Sequence, residues 1–387
     1  MNQPAFNVEG NRLTLLPEGP ERLEALIALI EGARRSLRIL YYIYAGDRSG
    51  RRVNDALVTA AQRGVSVALV VDGFGSDDTD DAFFAPLRQA GVDFCRFAPR
   101  FGRRYLLRNH QKLALADGED EATASVVIGG FNVEDDYFGG VEEQAWRDLG
   151  LLVEGPAAAR MTGYFDTLHR AIENPKLKVR PINKTLAKFS ETEGRLRWLI
   201  GGPTRKLSPW AKTVREDMRR GRRVDLIAAY FTPGPLLLHQ VRRRGRTGKE
   251  VRLVTAAKSD NNATIAAARF TYAGLMRRGV KIFEYRPTKL HTKLYVVDDA
   301  VHVGSANFDV RSLFINLELM LRVEDRAFAE HVRRYIDGEI AQSEAITPEL
   351  YRARTGWWQR VRQLGAYLLL GVVDPSVSRG LNFGIDE

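Results

Sequence analysis

One pattern, His-x-Lys-x4-Asp, occurs twice in this chain of 387 residues and constrains its fold and chemistry more than any other feature. The two copies consist of His110, Lys112 and Asp117, and of His291, Lys293 and Asp298. The chain has only six histidines, so two chance matches to such a pattern would be rare. Two copies that lie far apart in the chain indicate two related halves.

The segments around the two copies repeat one order of predicted elements. Apolar spacing predicts helices over residues 20–35, 51–63, 236–244 and 265–278, and buried strands over 37–44, 65–71, 91–97, 224–231, 251–256 and 280–285. Ser208 and Pro209 predict the N-cap and first turn of a further helix. Strands that alternate with helices predict an α/β fold in which each half is a sheet flanked by helices.

Each copy of the motif is followed by further matching polar residues. The motifs are predicted to lie on strands, 110–116 and 291–297, where alternation places each histidine and its lysine on one face. A glycine-led strand that ends in asparagine comes next, and then a strand opened by an acid. These residues are Gly130, Asn132 and Asp148 in the first half, and Ser305, Asn307 and Glu318 in the second.

These residue types suit chemistry at phosphorus. One histidine can attack as a nucleophile while a second protonates the leaving oxygen, and a carboxylate behind each imidazole fixes its tautomer. Lysines and asparagine amides can hold the non-bridging oxygens. A single histidine of this kind is often only a buried core residue, but the paired set favours catalysis. With one cysteine, Cys95, and no spaced His/Cys ligand set, we expect no metal or other cofactor.

The net charge of +10 is concentrated in one region, since residues 195–258 contain 17 Lys+Arg and 4 Asp+Glu. The basic residues form two clusters, at 219–223 and 242–249. Solvated helix ends and a surface that faces an anionic partner are both compatible with this pattern. We expect the partner to be an anionic phospholipid surface; nucleic acid is disfavoured because no separate nucleic-acid motif is present.

Segments near the two ends of the chain indicate which location in the cell to expect. Residues 1–20 lack the pattern of a signal peptide, and no apolar stretch reaches the length of a membrane span, so we expect a cytoplasmic protein that is peripheral on the inner membrane. Near the C-terminus, aromatic and aliphatic residues alternate with Arg360 and Arg362. Such a helix either lies in the membrane interface or packs on the core. No pattern indicates the oligomeric state.

The doubled motif resembles the signature of the phospholipase D superfamily, and the chain is most similar within it to bacterial cardiolipin synthases. The resemblance extends over residues 13–337 and includes the stretches 46–51, 70–76, 146–148, 229–233, 259–260, 304–309 and 311–318. It implies two similar phospholipase D-like lobes, 1–173 and 195–350, with the active site at their pseudo-two-fold interface. Residues 174–194 would connect the lobes, and 351–387 would form a helical tail.

The resemblance also implies a phosphatidyltransferase that works through a phosphohistidine without metal and uses an alcohol acceptor such as phosphatidylglycerol. The alternatives are a phosphodiesterase that hydrolyses phospholipid or nucleic acid, and an inactive scaffold, against which the two complete motifs argue. In many relatives the N-terminal histidine attacks, here His110, with His291 as acid, but internal symmetry leaves this open. By position, Glu318 is expected to orient His291 and Asp148 to orient His110.

The remaining predicted site residues have supporting parts. Asp117 and Asp298, at the ends of the two motifs, are expected to be structural rather than chemical. We expect Gly130 and Ser305 to bind substrate beside the asparagines.

Overall fold

Two eight-stranded mixed sheets form the scaffold of the chain. They are seen in a computed structural model that describes residues 3–98, 107–173, 187–204, 207–234, 238–239, 241–242 and 249–373. The predicted connection 174–194 and the predicted helix 236–244 therefore lie partly outside the described residues. The α/β fold with two similar lobes is confirmed.

The first lobe contains eight strands and five helices in the described residues. Its strands are β1 (Ala5–Val8), β2 (Asn11–Leu16), β3 (Ser36–Tyr41), β4 (Ser66–Asp72), β5 (Asp93–Phe97), β6 (Leu113–Ala116), β7 (Ser125–Gly129) and β8 (Gly150–Glu154). Its helices are α1 (Gly19–Gly32), α2 (Arg48–Gln62), α3 (Ala85–Gln89), α4 (Pro156–Ala159) and α5 (Met161–Glu173). Short 3-10 turns span Asp81–Phe84 and Asp135–Tyr137.

The second lobe repeats this layout and adds a C-terminal extension. Its strands are β9 (Leu196–Gly201), β10 (Arg223–Ala228), β11 (Phe231–Thr232), β12 (Glu250–Ala256), β13 (Lys281–Tyr285), β14 (Lys293–Val297), β15 (Ala300–Gly304), β16 (Phe308–Asp309), β17 (Glu318–Glu324) and β18 (Ser343–Ile346). Its helices are α6 (Pro209–Arg220), α7 (Asn262–Met276), α8 (Val310–Phe314), α9 (Arg326–Ala341), α10 (Pro348–Arg354) and α11 (Trp357–Leu368). A π-helical turn, Leu369–Val373, follows α11.

The two sheets have the same topology. Their strand orders are β1-β2-β8-β7-β6-β3-β4-β5 and β18-β13-β12-β10-β14-β15-β17-β9. In each sheet three neighbouring strands run parallel, β3-β4-β5 and β10-β12-β13, and the remaining pairs are antiparallel. The added strands differ, because β1 extends one sheet beside β2 whereas β18 covers the outer edge of β13. Apart from these added strands, the two sheets correspond strand by strand, as the predicted repeat implies.

The lobes share one hydrophobic interior. Leu115 and Val126 of the first sheet belong to the same buried cluster as Val296 and Leu321 of the second. Helices α5 and α9 contribute to this cluster, while α1 and α2 cover the outer face of the first sheet and α6 and α7 that of the second. Burial of apolar surface is the main favourable term in folding, so neither lobe contains its complete core.

The observed ends of several elements differ from the predicted ends, mostly at polar residues and glycines. Helix α6 begins at Pro209 after Ser208 as predicted, but the Ser208 hydroxyl makes no capping hydrogen bond. The predicted motif strands were wrong at their starts: β6 begins at Leu113, after His110 and Lys112, and β14 begins at Lys293. The glycine-led segments also differ, because β7 and β15 end at their glycines and the asparagines follow in loops.

Candidate active site

Both motif histidines lie in extended segments at the interface between the lobes. These segments continue into β6 after His110 and into β14 after His291. The backbone N–H of His110 donates to the carbonyl of Leu317 (2.9 Å), and that of His291 donates to the carbonyl of Arg147 (2.7 Å). Both contacts are parts of short parallel bridges, Asn109 with Leu317 and Leu290 with Arg147. The main chain of the opposite lobe therefore holds each histidine. The carbonyls that accept these bonds belong to Leu317 and Arg147, which directly precede the acids Glu318 and Asp148.

This arrangement pairs each histidine with the carboxylate of the other lobe. His110 Nδ1 lies 3.0 Å from Glu318 Oε2, and His291 Nδ1 lies 2.6 Å from Asp148 Oδ2. The expected pairing within each lobe, Asp148 with His110 and Glu318 with His291, was wrong. The parallel bridges are the reason, because they place each histidine beside the strand start of the opposite lobe. With Nδ1 engaged by a carboxylate, Nε2 is the nitrogen left for chemistry.

Glu318 is held by hydroxyl and amide donors. Its Oε2 accepts from Ser305 Oγ (2.5 Å), and its Oε1 accepts from Ser312 Oγ (2.7 Å) and from Asn316 Nδ2 (3.5 Å). The Ser305 hydroxyl thus contacts the acid. Ser305 was predicted to bind substrate, and that role stays a prediction.

Asp148 is held differently. Its Oδ1 accepts from the backbone N–H of Leu149 (2.7 Å). The buried guanidinium of Arg22 donates to the Asp148 carbonyl (2.6 Å) and fixes the start of this strand. A Cβ at position 130 would stand 2.5 Å from Asp148 Oδ1, so Gly130 leaves room for the carboxylate. Substrate binding by Gly130 also stays a prediction.

The lysines and asparagines predicted for the site are all buried at this interface. Lys112 Nζ donates to the His110 carbonyl (2.7 Å), and Lys293 Nζ donates to that of His291. Asn132 Oδ1 accepts from the Ile43 backbone (3.1 Å). In the described part of the chain, Asn307 Oδ1 is buried without a hydrogen-bond partner. Unlike Asn132, Asn307 therefore has an acceptor that is not occupied by the main chain.

Burial and positive charge keep both imidazoles neutral in the free site. Burial lowers the pKa of His110 and of His291 well below the ordinary value, and Lys112 and Lys293 lower both further. Burial also lowers the pKa of the lysines, to about 7 for Lys112 and about 8 for Lys293. The two lysines attract an anion that enters such a site, and the negative charge of that anion favours the protonated form of the histidines.

The two carboxylates differ in their protonation. Burial raises the pKa of Glu318, and its hydrogen-bond donors and Lys112 offset this only in part. Burial acts on Asp148 in the same direction, but Lys293 and His291 outweigh it and lower the pKa of Asp148 below its ordinary value. Asp148 is therefore the more strongly ionised acid, and the pseudo-symmetric halves are electrostatically unequal.

Aromatic rings that the sequence analysis did not assign surround the histidines. Tyr42 lies 5.0 Å from the His110 ring, and Tyr137 and Trp146 each lie 5.2 Å from the His291 ring. Tyr230 approaches His291 from the second lobe at 6.3 Å. These ring contacts contribute to the burial of both imidazoles. Two stretches that carry the resemblance, 146–148 and 229–233, contain Trp146 and Tyr230 and were the available signals in the sequence.

Asp117 and Asp298 lie at the far ends of β6 and β14, away from the histidines. Asp117 accepts backbone hydrogen bonds from Arg34, Arg35 and Ser36 (2.7–3.1 Å), and Asp298 accepts them from Arg222 and Arg223 (2.9–3.1 Å). Both aspartates have positive φ, 51° and 48°. Each aspartate thus joins the turn that follows its motif strand to the backbone at the start of a neighbouring strand.

We expect Asp117→Ala to lower the free energy of unfolding by about 2–4 kcal/mol, because it removes charge-assisted hydrogen bonds and places alanine at positive φ. Urea denaturation followed by circular dichroism measures this. Glu121→Ala, at an exposed position of the same loop, is the matched control and should change stability little. An unchanged unfolding midpoint together with lost turnover would contradict the structural role of Asp117.

Comparison with known proteins places this geometry in a family. The family model described as "Cardiolipin synthase, PLD-like domain" matches residues 26–169 and 215–340, one segment in each lobe. The chain belongs to this phospholipase D-like family. It is therefore an enzyme of the phospholipase D superfamily, as the doubled motif indicated.

Named relatives cover most of the chain. Cardiolipin synthase B of Salmonella typhimurium is 31% identical over 379 residues, which are 94% of this chain and 88% of that protein. Cardiolipin synthase 1 of Bacillus anthracis is 29% identical over 354 residues, 88% of this chain and 69% of that protein.

Solved structures share the fold at low identity. Phosphatidylserine synthase of Haemophilus influenzae matches with a TM-score of 0.73 at 14% identity and covers 98% of this chain and 97% of its own. Polyphosphate kinase of Porphyromonas gingivalis matches with a TM-score of 0.57 at 14% identity, over 88% of this chain and 49% of its own. Within the described ranges, no helix combines the length and apolar character needed to cross a membrane.

Proposed function

We propose that the chain is a phosphatidyltransferase of the cardiolipin synthase type, which joins two phosphatidylglycerol molecules and releases glycerol. The observation that carries this proposal is the crossed pairing of His110 with Glu318 and of His291 with Asp148 at one buried interface. Two imidazoles, each with Nδ1 held and Nε2 left for chemistry, supply the nucleophile and the acid of a two-step transfer at phosphorus. The family membership supports the lipid substrate.

In the first step, Nε2 of one histidine attacks the phosphorus of phosphatidylglycerol and forms a P–N bond. The bond from phosphorus to the glycerol headgroup oxygen breaks, and the second histidine donates its Nε2 proton to that oxygen. Lys112 and Lys293 offset the charge on the non-bridging oxygens. The negative phosphodiester itself raises the pKa of the acid histidine, which makes protonation possible in a site that otherwise disfavours it.

In the second step, the hydroxyl of another phosphatidylglycerol gives its proton to the second histidine and attacks the same phosphorus. The P–N bond breaks, and the first histidine is restored. The electrostatic inequality of the two halves supports His110 as nucleophile and His291 as acid. The strongly ionised Asp148 stabilises a proton on His291, whereas Glu318, with its raised pKa, gives His110 less of this support.

The test of this proposal is a lipid assay with vesicles of phosphatidylglycerol in phosphatidylcholine. We expect cardiolipin and glycerol in equal amounts, measured by lipid mass spectrometry and a coupled glycerol assay. Phosphatidic acid without cardiolipin would instead show a hydrolase. Cleavage of single-stranded DNA with no change in the lipid would show a nuclease, and either outcome would overturn the proposal.

Three arginines of the first basic cluster, at 219–223, have acidic partners within the chain. In the first cluster, Arg219 and Arg220 pair with Glu216 at the exposed end of α6, and Arg223 lies near Asp225 and Glu250. These contacts fit the interpretation as solvated helix ends. Arg243, Arg244 and Arg246 of the second cluster lie outside the described residues.

The C-terminal helix α11 is the stronger candidate for contact with an anionic bilayer. One face packs on the lobe: the Tyr367 ring lies 5.0 Å from Phe270, and its hydroxyl donates to the Pro233 carbonyl. The opposite face leaves large apolar side chains exposed, namely Trp357, Trp358, Val361, Leu364 and Leu368, and Leu369 in the following turn is exposed as well. The packed face agrees with the alternative that this segment packs on the core, and the exposed apolar face leaves the interface alternative open as a proposal.

Two features support membrane contact as the role of this face. Arg360 and Arg362 are exposed beside the apolar residues, which suits anionic headgroups, and tryptophans favour the interface depth of a bilayer. The helix is also bonded to Pro233, three residues after Tyr230, whose ring faces His291. We therefore propose that α11 lies in the interface and brings the active site to its lipid substrate.

We expect the double variant Trp357→Ala/Trp358→Ala to bind phosphatidylglycerol vesicles about tenfold or more weakly, because each ring loses burial in the bilayer worth on the order of 1–2 kcal/mol. Vesicle co-sedimentation measures this. Val141→Ala, at an exposed apolar position of the first lobe, is the control and should bind normally. Unchanged binding by the double variant would exclude α11 as the anchor.

A further inference from the structure

A second group of chemically reactive side chains lies outside the active site, where α5 meets the edge strand β5. His169 and Glu173 stand one turn apart on the last part of α5, and Asp93 is the first residue of β5. One ligand atom from each of the three residues lies within 4.8 Å of the other two. Residues far apart in the chain thus present a nitrogen and two carboxylates to one point.

The imidazole of His169 is the unusual member of this group. It is only 7% exposed, yet its Nε2 is buried without a hydrogen-bond partner among the residues the structure describes. Asp93 Oδ2 lies 3.5 Å from it, too far for a good hydrogen bond. The Phe165 ring stacks on the imidazole at 5.8 Å and fixes its orientation. A buried nitrogen of this kind is costly unless it meets a ligand.

The chemistry of the three donors selects the ligand. An imidazole nitrogen with two carboxylates suits a borderline divalent ion such as Zn²⁺, which accepts three protein ligands and a water. Such an ion would bond the free Nε2 and remove the repulsion between the carboxylates of Asp93 and Glu173. Mg²⁺ and Ca²⁺ prefer oxygen ligands alone, so the histidine disfavours them.

The place of this group in the fold gives the ion a structural role. Strand β5 is an edge of the first sheet, and no described strand pairs with its outer side. Its counterpart in the second sheet, β13, is covered by β18. An ion held by Asp93 from β5 and by His169 and Glu173 from α5 would link the helix end to this edge and limit its fraying.

We propose that Asp93, His169 and Glu173 form a binding site for one Zn²⁺-like divalent ion that ties the end of α5 to the edge strand β5. The sequence analysis expected no metal site, because the chain has no spaced set of His and Cys ligands, and Asp93 lies far in sequence from His169 and Glu173. The proposed ion takes no part in the phosphoryl chemistry of the two histidines, so its binding is independent of the transferase proposal.

The test uses the full chain, freed of metal by a chelator and titrated with zinc chloride. We expect one zinc per chain at this site and a melting temperature that rises by a few degrees when zinc is in large excess over the dissociation constant. Asp93→Asn and Glu173→Gln replace exposed carboxylates, so both variants should fold normally without metal but bind zinc about tenfold or more weakly. The metal-free melting temperature checks the fold of each.

Two controls separate this site from other histidines. His239→Gln changes an exposed histidine outside the group and should leave zinc binding unchanged. His110→Gln tests whether zinc binds at the active site instead, and it should also leave the stoichiometry unchanged. Zinc affinity that is the same in the Asp93→Asn and Glu173→Gln variants as in the parent chain would overturn the proposal, as would stabilisation by Mg²⁺ equal to that by zinc.

Discussion

Replacing either His110 or His291 with alanine should reduce the rate of cardiolipin formation by about 10³-fold or more, because one variant lacks the nucleophile and the other the proton donor. Each residue is nearly buried and carries a hydrogen bond to a carboxylate of the opposite lobe. The turnover of phosphatidylglycerol vesicles measures the effect directly. Full activity in either variant would contradict the two-histidine mechanism.

The control must show that loss of activity does not come from loss of structure. His239→Ala changes an exposed histidine and should retain full activity. Both active-site variants should bind vesicles through α11 as well as the parent chain does, since the helix lies on the surface of the second lobe. A variant that still forms a covalent phosphatidyl-protein retains the nucleophile, so the histidine replaced in that variant is the acid.

From the crossed pairing we expect a second large effect: Glu318→Gln and Asp148→Asn should each lower kcat by about 10²- to 10⁴-fold. An amide behind a catalytic histidine can donate to Nδ1 and stabilise the wrong tautomer, and it cannot stabilise the imidazolium. The loss should appear in kcat more than in KM, since neither acid contacts the substrate in the proposed mechanism. Steady-state kinetics on mixed vesicles measure the split.

Nitrogen NMR of histidine-labelled protein distinguishes crossed pairing from pairing within a lobe. Glu318→Gln should move the ring resonances of His110 and leave those of His291 nearly unchanged. Asp148→Asn should do the reverse. Resonance changes at the histidine of the same lobe would refute the geometry, even if both variants were inactive.

Much of this structure could be predicted from local patterns. The helices and parallel strands of both lobes carry continuous apolar spacing, so their order and approximate limits were visible. The repeat gave the two lobes, and the motif residues His110, Lys112, His291 and Lys293 are indeed brought to one interface. The predicted ends of several elements differ from the observed ends by a few residues. Polar contacts at caps and turns decide where an element ends, and apolar spacing does not reveal them.

The pairing of acids with histidines could not be predicted for a physical reason. Two similar halves with a histidine and an acid in each are compatible both with pairs inside a lobe and with crossed pairs. The choice depends on contacts such as the bridge between Asn109 and Leu317, which join residues far apart in sequence and leave no periodic signal. The aromatic rings around His291 escaped prediction for the same reason, since Tyr137 and Tyr230 come from different lobes.

The crossed pairs also affect how such a chain can evolve. Because His110 depends on Glu318, 208 positions later, and His291 on Asp148, 143 positions earlier, each catalytic half is encoded in two distant parts of the gene. Recombination that replaces one lobe with that of a distant relative changes one member of both pairs at the same time, along with half of the shared interior. Descendants of such an exchange would need compensating changes in both lobes, so the two lobes are expected to be inherited together and to diverge in step.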